Sequence, residues 1–290
     1  MFSISFFERA REGARSGAGG WLVSGLLLAL AGPAAAAPSW TDWADLALSS
    51  SVVLTGAVAD VDRFSRRDAP DVPPGEVRAL VRVDLRSALR SPVVLPAGAA
   101  WMWQGAADRR GRPPFGRDDL VFAFADLLSG GGRPEVQALQ LVSDQGQQPW
   151  SEQADQWVRA ILTEARRPGM ADLMVTGIES GFRSEGDVPG AAISQFFLRT
   201  ENGHPLVLVV RRRPGQQMPD VLASIGELID NAEPVRPETL VWRALACGLP
   251  GQLPPDLATD LGLADDYLIA RLRIGDCGRT LPQPLPHPSD

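Results

Sequence analysis

Residues 120–165 read LVFAFADLLSGGGRPEVQALQLVSDQGQQPWSEQADQWVRAILTEA, and this stretch decides the fold. Two apolar runs, 120–128 and 136–142, flank a connector of Gly130, Gly131, Gly132, Arg133 and Pro134. Runs of that length around a glycine-rich loop are the pattern of a β-hairpin. Pro149-Trp150 then ends the extended chain. Ser151 follows where a hydroxyl can accept from the first free helical N–H groups, and Glu152 lies beside the positive end of the helix dipole. Ala154, Trp157, Val158, Ile161, Leu162 and Ala165 recur at helical period and make one apolar stripe. A hairpin that runs into a helix with one oily face predicts a sheet beneath that face. The rest of this sheet is expected upstream, and a second lobe downstream.

Upstream, residues 39–46 read as a short capped helix or turn. Residues 51–59 (SVVLTGAVA) form a strand bent at Gly56, and residues 76–85 (EVRALVRVDL) alternate in the half-buried strand pattern. Residues 92–96 are a short link. Residues 99–104 (AAWMWQ) form a third strand with Trp101 and Trp103 on one face. Exposed loops are expected at 63–75 and at 105–119, the latter holding Arg109, Arg110, Arg112 and Arg117. Five strands, the first bent and the last followed by a helix, predict a small closed barrel of the OB type.

Downstream, residues 173–178, 192–200 and 206–211 read as strands, with Glu201-Asn202-Gly203 as a type I′ turn between the last two. Pro219 is expected to start a helix with an apolar face of Val221, Leu222, Ile225, Leu228, Ile229 and Ala232. Further helices are expected at 237–247, stopped by Gly248 and Pro250, and at 256–274 around Leu257, Leu261, Leu268 and Leu272. The fold class is therefore mixed α+β: an N-terminal OB-like five-stranded barrel with a C-flanking helix (37–168), then a small α+β lobe ending in helices (169–277). Residues 278–290, with four prolines, are expected to be a disordered tail. The motif LTG before DVPPG (54–75) is echoed by VTG before DVPG (175–190), each leading into a strand. That echo fits two related sheets, or merely the habit of Thr-Gly and Pro-Gly to punctuate strands.

The order VVLTGAV, charged loop, VRVDL, LVFAFADL, glycine-rich turn, ALQLV, QPW and helix resembles the netrin/tissue-inhibitor-of-metalloproteinase barrels over residues 45–165. The resemblance implies a fold only. The inhibition known in that family depends on an N-terminal cysteine that chelates the target's zinc, and the first cysteine of this chain is Cys247.

The N-terminus reads as an address. Arg9, Arg11 and Arg15 precede the apolar run Trp21–Ala31, and Gly32-Pro33 and four alanines follow, the pattern of a secretory signal peptide spanning 1–36 with cleavage after Ala36. The alternative is an uncleaved anchor, but the run is short against the roughly 20 residues that span a membrane. Cleavage would remove three arginines and two glutamates, leaving an already acidic chain (−7) one charge more acidic. Export to an oxidising compartment favours a Cys247–Cys277 disulfide, the alternative being two buried thiols. At 290 residues with 44% hydrophobic and 22% charged side chains, the chain is long enough to build a sizeable core.

All 28 basic residues are arginine, which excludes lysine chemistry: Schiff bases, pyridoxal phosphate and the phosphate-binding lysine of a P-loop. The acidic balance argues against nucleic acid. Gly177-Ile178-Glu179-Ser180-Gly181 places its serine one position too late for a nucleophile elbow. No dinucleotide, zincin or EF-hand motif occurs. His204 has no partner named by spacing, and the pairs Asp60/Asp62 and Asp118/Asp119 read as solvated charges. Trp101 and Trp103 with Arg109, Arg110 and Arg112 are the ligand-binding candidates, since aromatic faces beside guanidinium groups suit sugars and anions. The competing reading puts the tryptophans inside the barrel and the arginines, like Arg211-Arg212-Arg213, in water.

The expectation is an exported, non-catalytic binding module of the cell envelope, periplasmic or secreted. Its expected partner is an envelope protein or a glycan, with no cofactor, metal or nucleic acid. Two alternatives stay open: a carboxylate-dependent periplasmic hydrolase of glycans, with two acids facing across a cleft, and an accessory protein tethered to the membrane by residues 21–37.

Overall fold

The structure is a computed structural model that describes residues 37–128, 135–226 and 231–281. The signal-like segment 1–36, the glycine connector 129–134, Leu228 and Ile229, and the tail 282–290 lie outside the described residues.

The chain enters through α1 (Trp40–Ser49), where Ser39 and Asp42 form a reciprocal capping box. Five strands follow: β1 (Val52–Arg63), β2 (Glu76–Arg90), β3 (Gly98–Ala106), β4 (Leu120–Leu127) and β5 (Val136–Leu141). They pair in the order β1-β2-β3-β5-β4, and β4 returns to β1. The pairings are antiparallel except β3 with β5, where Gly98–Trp101 runs parallel to Val136–Leu139. This is the expected closed five-stranded barrel, compatible with an OB-like fold. The expected β4–β5 hairpin is present, with Ala125 opposite Leu141 and Leu127 opposite Leu139. An unexpected short strand, β6 (Gln147–Pro149), adds to β4 where a simple break of the extended chain was expected.

Side chains alternate across β4 with both faces buried. Val121, Ala123 and Ala125 point into the barrel with Leu54, Val83, Trp101 and Leu139. Phe122 and Phe124 point the other way and stack on each other under Trp43 of α1. That outer face opens a second, larger core. It takes in α1 and α2 (Glu152–Glu164), which is capped by the Ser151 hydroxyl as expected. The predicted stripe of α2 is the buried one, with Ala154, Val158, Ile161 and Leu162 inward.

The same core continues into a second antiparallel sheet: β7 (Val175–Glu185), β8 (Ala192–Thr200), β9 (Leu206–Arg212), β10 (Asp220–Ile225) and the two-residue β11 (Glu233–Pro234). Gly56 and Gly177, the glycines of the two echoed motifs, both sit at register shifts in the long first strand of their sheets. That accounts for the echo as shared bulge chemistry.

The second sheet corrects three expectations. The segment after Pro219 is a strand, because residues 220–225 pair along the free side of β9. Its side chains alternate: Val221 and Ala223 join the main core, while Leu222 joins Val207 and Val209 on the opposite face. A short apolar run bounded by Pro219 and Gly226 satisfies either period, and the available ladder decides it. The β8–β9 turn is not type I′, since among the described residues near it only Gly203 has a positive φ (72°). β7 is also longer than expected, reaching Glu185.

Helices α3 (Leu240–Gly248) and α4 (Leu261–Ile274) lie on the core face of this sheet, with a 3-10 turn at Leu257–Thr259 before α4. Gly248 allows this approach: a Cβ there would stand 2.1 Å from the Val175 carbonyl oxygen. The predicted face of α4 is the wrong one. Leu261, Leu268 and Leu272 are 83%, 58% and 73% exposed, whereas Leu263, Asp266, Tyr267, Ala270 and Ile274 are buried. The rotation is set by Asp266, whose carboxylate has no exposed surface. It accepts from Arg183 of β7, from Ser194 of β8 at 2.5 Å and from Nε of Arg212 of β9 at 2.6 Å. An ion so buried needs all these partners, so it carries its own face of the helix inward. Beside it, burial pushes the Tyr267 phenol up to about 12, and its hydroxyl donates to the Pro250 carbonyl at 2.7 Å.

Cys247 and Cys277 form the expected disulfide, tying the end of α3 to the segment after α4. The chain beyond it is ordered further than expected. Thr280 donates through its amide and hydroxyl to Asp42, Leu281 donates its amide to Asp42, and Arg279 pairs with Asp45. The tail therefore cannot begin at Gly278. No described helix is long and apolar enough to cross a membrane.

Replacing Asp266 by Ala should destabilise the protein by about 3 kcal/mol, the lower end for breaking a buried ion pair, because Arg212 can partly rehydrate. The check is the urea unfolding midpoint at unchanged slope. A loss below about 0.5 kcal/mol, the range of an ordinary surface change, would show that the ion cluster does not hold α4.

Candidate functional site

The structure separates the two halves of the predicted tryptophan–arginine set. β3 directs Ala99, Trp101 and Trp103 inward and Ala100, Met102 and Gln104 outward. Trp101 is 1% exposed, and its indole N–H donates to Gln147 Oε1 at 2.8 Å, the partner that a buried indole requires. Trp103 meets Phe115 edge to face at 5.0 Å. Neither ring offers a face to solvent. Arg109, Arg110 and Arg112 stand exposed on the following loop. Its backbone is organised by Asp108, whose Oδ1 accepts from the amides of Arg110 and Arg112 at 2.8 and 2.9 Å. Those amides, Arg112 first, hold the Asp108 carboxyl below its ordinary value.

Other candidates are engaged in structure. Asp60 and Asp62 both accept from the same Arg82 Nη1, at 2.6 and 2.7 Å, on the outside of the barrel. Asp119 accepts from the Gly116 amide at 2.7 Å. Arg212 serves Asp265 and Asp266, and Arg213 pairs with Asp220. The His204 ring packs against Gly169, where a Cβ would come within 2.6 Å of it, and the Asn202 side chain donates to the Gly169 carbonyl at 2.9 Å. Ser180 lies mid-strand in β7. Among the described residues no three His, Cys, Asp or Glu side chains gather as metal ligands would.

Two clusters went unseen in the sequence. The first joins α1 to the C-terminal segment. Asp45 sits between Arg243 and Arg279, and Asp42 receives Ser39, Thr280 and Leu281. No motif announces it, because the α1 aspartates and their partners Arg243, Arg279 and Thr280 are more than 190 positions apart.

The second is an open groove of about 630 Å³ where the end of β2, the 91–95 segment and the last turn of α2 meet. Leu85, Leu89, Leu95 and Leu162 contribute its apolar walls, with Val93 and Val94 at the lip. Leu85 and Leu95 belong to the edge of the barrel core, and Leu89 and Leu162 to the larger core, so the groove is the seam where two cores reach the surface. Its charged residues are Arg90 and Arg166, with no acid among the lining. Arg90 Nη1 donates to the Ala47 carbonyl at 3.3 Å. The Arg166 guanidinium has no partner among the described residues. Val94 is 97% exposed. The one available signal was Pro92-Val93-Val94-Leu95-Pro96, a hydrophobic triplet between prolines that cannot enter a sheet interior. In the sequence it reads only as a link.

The sequence matches no protein-family model and no curated protein.

The Asp42 clasp generates a pH dependence. Burial raises its carboxyl, but the Thr280 and Ser39 hydrogen bonds together outweigh that and hold it below 3.8. A depressed folded value means a contribution fully present above the ordinary value and lost as pH falls through the folded one. Stability should hold from neutral pH to about 5 and drop below about 4. Asp42→Ala should cost on the order of 2 kcal/mol at pH 7 by orphaning its donors, and should flatten the acid limb. Unfolding curves between pH 7 and 3 check this. An acid limb as steep in the variant as in the parent would refute it.

Proposed function

We propose that this chain is an exported, non-catalytic binding module of the cell envelope, periplasmic or secreted after loss of residues 1–36. The observation that carries this reading is the seam groove: a mixed recess of leucine and valine side chains with a cationic, polar rim, built on a strand and a helix that belong to two cores. Its volume lies within the roughly 300–1,000 Å³ typical of ligand sites. The disulfide formed by both cysteines suits an oxidising compartment. The signal-like N-terminus supports the same destination. The likeness to netrin/tissue-inhibitor-of-metalloproteinase barrels enters as fold-level resemblance and brings no inhibitory activity. The binding reading is preferred to a glycan hydrolase because Asp60 and Asp62 lie side by side on the exposed outside of the barrel, both bound to Arg82, and do not face each other across a cleft.

The test is to recover a C-terminally tagged full-length protein from fractionated cells, with and without in-cell crosslinking, and to measure intact mass. The expected species lacks residues 1–36, carries one disulfide and is crosslinked to a defined envelope component. A reduced, uncleaved cytosolic species would overturn the export reading, and retention of residues 21–37 would replace it with a membrane tether. Turnover of a glycan or ester substrate, abolished by carboxylate mutation, would overturn the non-catalytic one. Replacing both cysteines by Ser should cost about 3–4 kcal/mol in the chain-entropy account of a 30-residue loop, read as a lower denaturation midpoint.

A further inference from the structure

We propose that the seam groove binds a single-chain anionic lipid, its acyl chain along Leu85, Leu89 and Leu162 and its anionic headgroup at Arg90 and Arg166. This rests on the binding-module reading and adds the class of ligand.

Charge is the first argument. The whole chain carries net charge −7, so a recess lined by two arginines and no acid runs against the background. The carboxyl end of α2, which closes at Ala165, contributes about half a negative charge there. Two full positive charges exceed it. An anion arriving at an apolar wall would meet a guanidinium in a partly desolvated setting, where such hydrogen bonds are strong.

Polarity of the walls is the second argument, and it separates a lipid from a peptide. A peptide brings amides and carbonyls that must be satisfied on burial. The Ser91 hydroxyl is already engaged with the Val93 backbone, donating to its carbonyl at 2.7 Å. β3 pairs with β2 only as far as Asp84, so residues 86–90 have one side not paired by β3. Register shifts against β1 skip Arg86 and Leu89 there, and bulges break the even spacing an added strand would need. An acyl chain needs only apolar contact, which Leu85, Leu89 and Leu162 supply. Val94, 97% exposed at the lip, would be covered by the same chain.

The experiment is calorimetric titration of the oxidised protein isolated from cells with lysophosphatidylglycerol and with lysophosphatidylcholine of equal chain length. Both are kept below micelle formation. Saturable one-to-one binding is expected, with the anionic lipid preferred by about tenfold, the worth of one charge-assisted hydrogen bond. The preference should shrink as salt rises. Arg166→Glu should abolish the preference and Val94→Asp should weaken both lipids. Arg110→Glu, the same charge change on the distant exposed loop, should alter neither. All three positions are exposed, and unchanged melting curves confirm the fold. Absence of saturable binding, equal affinity for the two lipids, or equal effects of Arg166→Glu and Arg110→Glu would overturn the proposal. If lipid binding fails while a photo-crosslinker placed at Val94 captures an envelope protein in cells, the lipid assignment falls and the binding module stands. If both fail, the module reading falls with it.

Discussion

The structure depends on one strand being buried on both faces. β4 sends Val121, Ala123 and Ala125 into the barrel and Phe122 and Phe124 into the larger core. A strand in water on one side could close the barrel and no more. With two phenylalanines on its outer face, the barrel has an apolar flank that must be covered, and α1 covers it through Trp43. α1 is itself too short to be stable alone, so it is held in turn by α2 and by the second sheet behind it. The described chain from 37 to 281 is thus joined by one continuous core around the outside of a small barrel.

Polar groups fix how the later elements lie on that core. Apolar burial is non-directional and tolerates several rotations of a helix. Asp266 removes the freedom of α4, because only one rotation brings its carboxylate to Arg183, Ser194 and Arg212 together. Asp42 and Asp45 do the same for the C-terminal segment, drawing Arg279, Thr280 and Leu281 against α1. The disulfide at Cys247–Cys277 shortens the path between these clamps. The two ends of the described chain are consequently stitched to each other, while the seam groove lies at the other junction, between barrel edge and α2.

The legibility of each element followed from how local its determinants are. α2 could be read because its cap, its dipole and its stripe all lie within Ser151–Ala165. β2 could be read because alternation from Val77 to Leu85 needs no partner to be seen. α4 could not, since Leu261, Leu268 and Leu272 form a plausible face and the competing one contains an aspartate. Only the arginines of β7 and β9, 83 and 54 positions away, make that aspartate an interior residue. Residues 220–225 were ambiguous until β9 offered a ladder. The tryptophans of β3 and the arginines after them are neighbours in sequence, but strand alternation turns the rings inward while the loop carries the guanidinium groups into solvent.

By itself the sequence determined the element types with strong periods, the closed five-stranded barrel and its flanking helix, the cysteine pair and the exclusion of lysine chemistry. The strand and helix periods follow from local backbone preference, and the lysine exclusion from composition. The barrel and the cysteine pair were legible from strand order and from there being two cysteines, their closure being made by the β1–β4 and β3–β5 pairings and the Cys247–Cys277 bond. The tertiary structure alone decided which face of α4 is interior, where the C-terminal segment is clamped, and that Leu85, Leu89, Leu162, Arg90 and Arg166 share one groove. The physical reason is common to all three. Burial of a charge and the meeting of two cores are set by contacts between distant residues, and no local period records them.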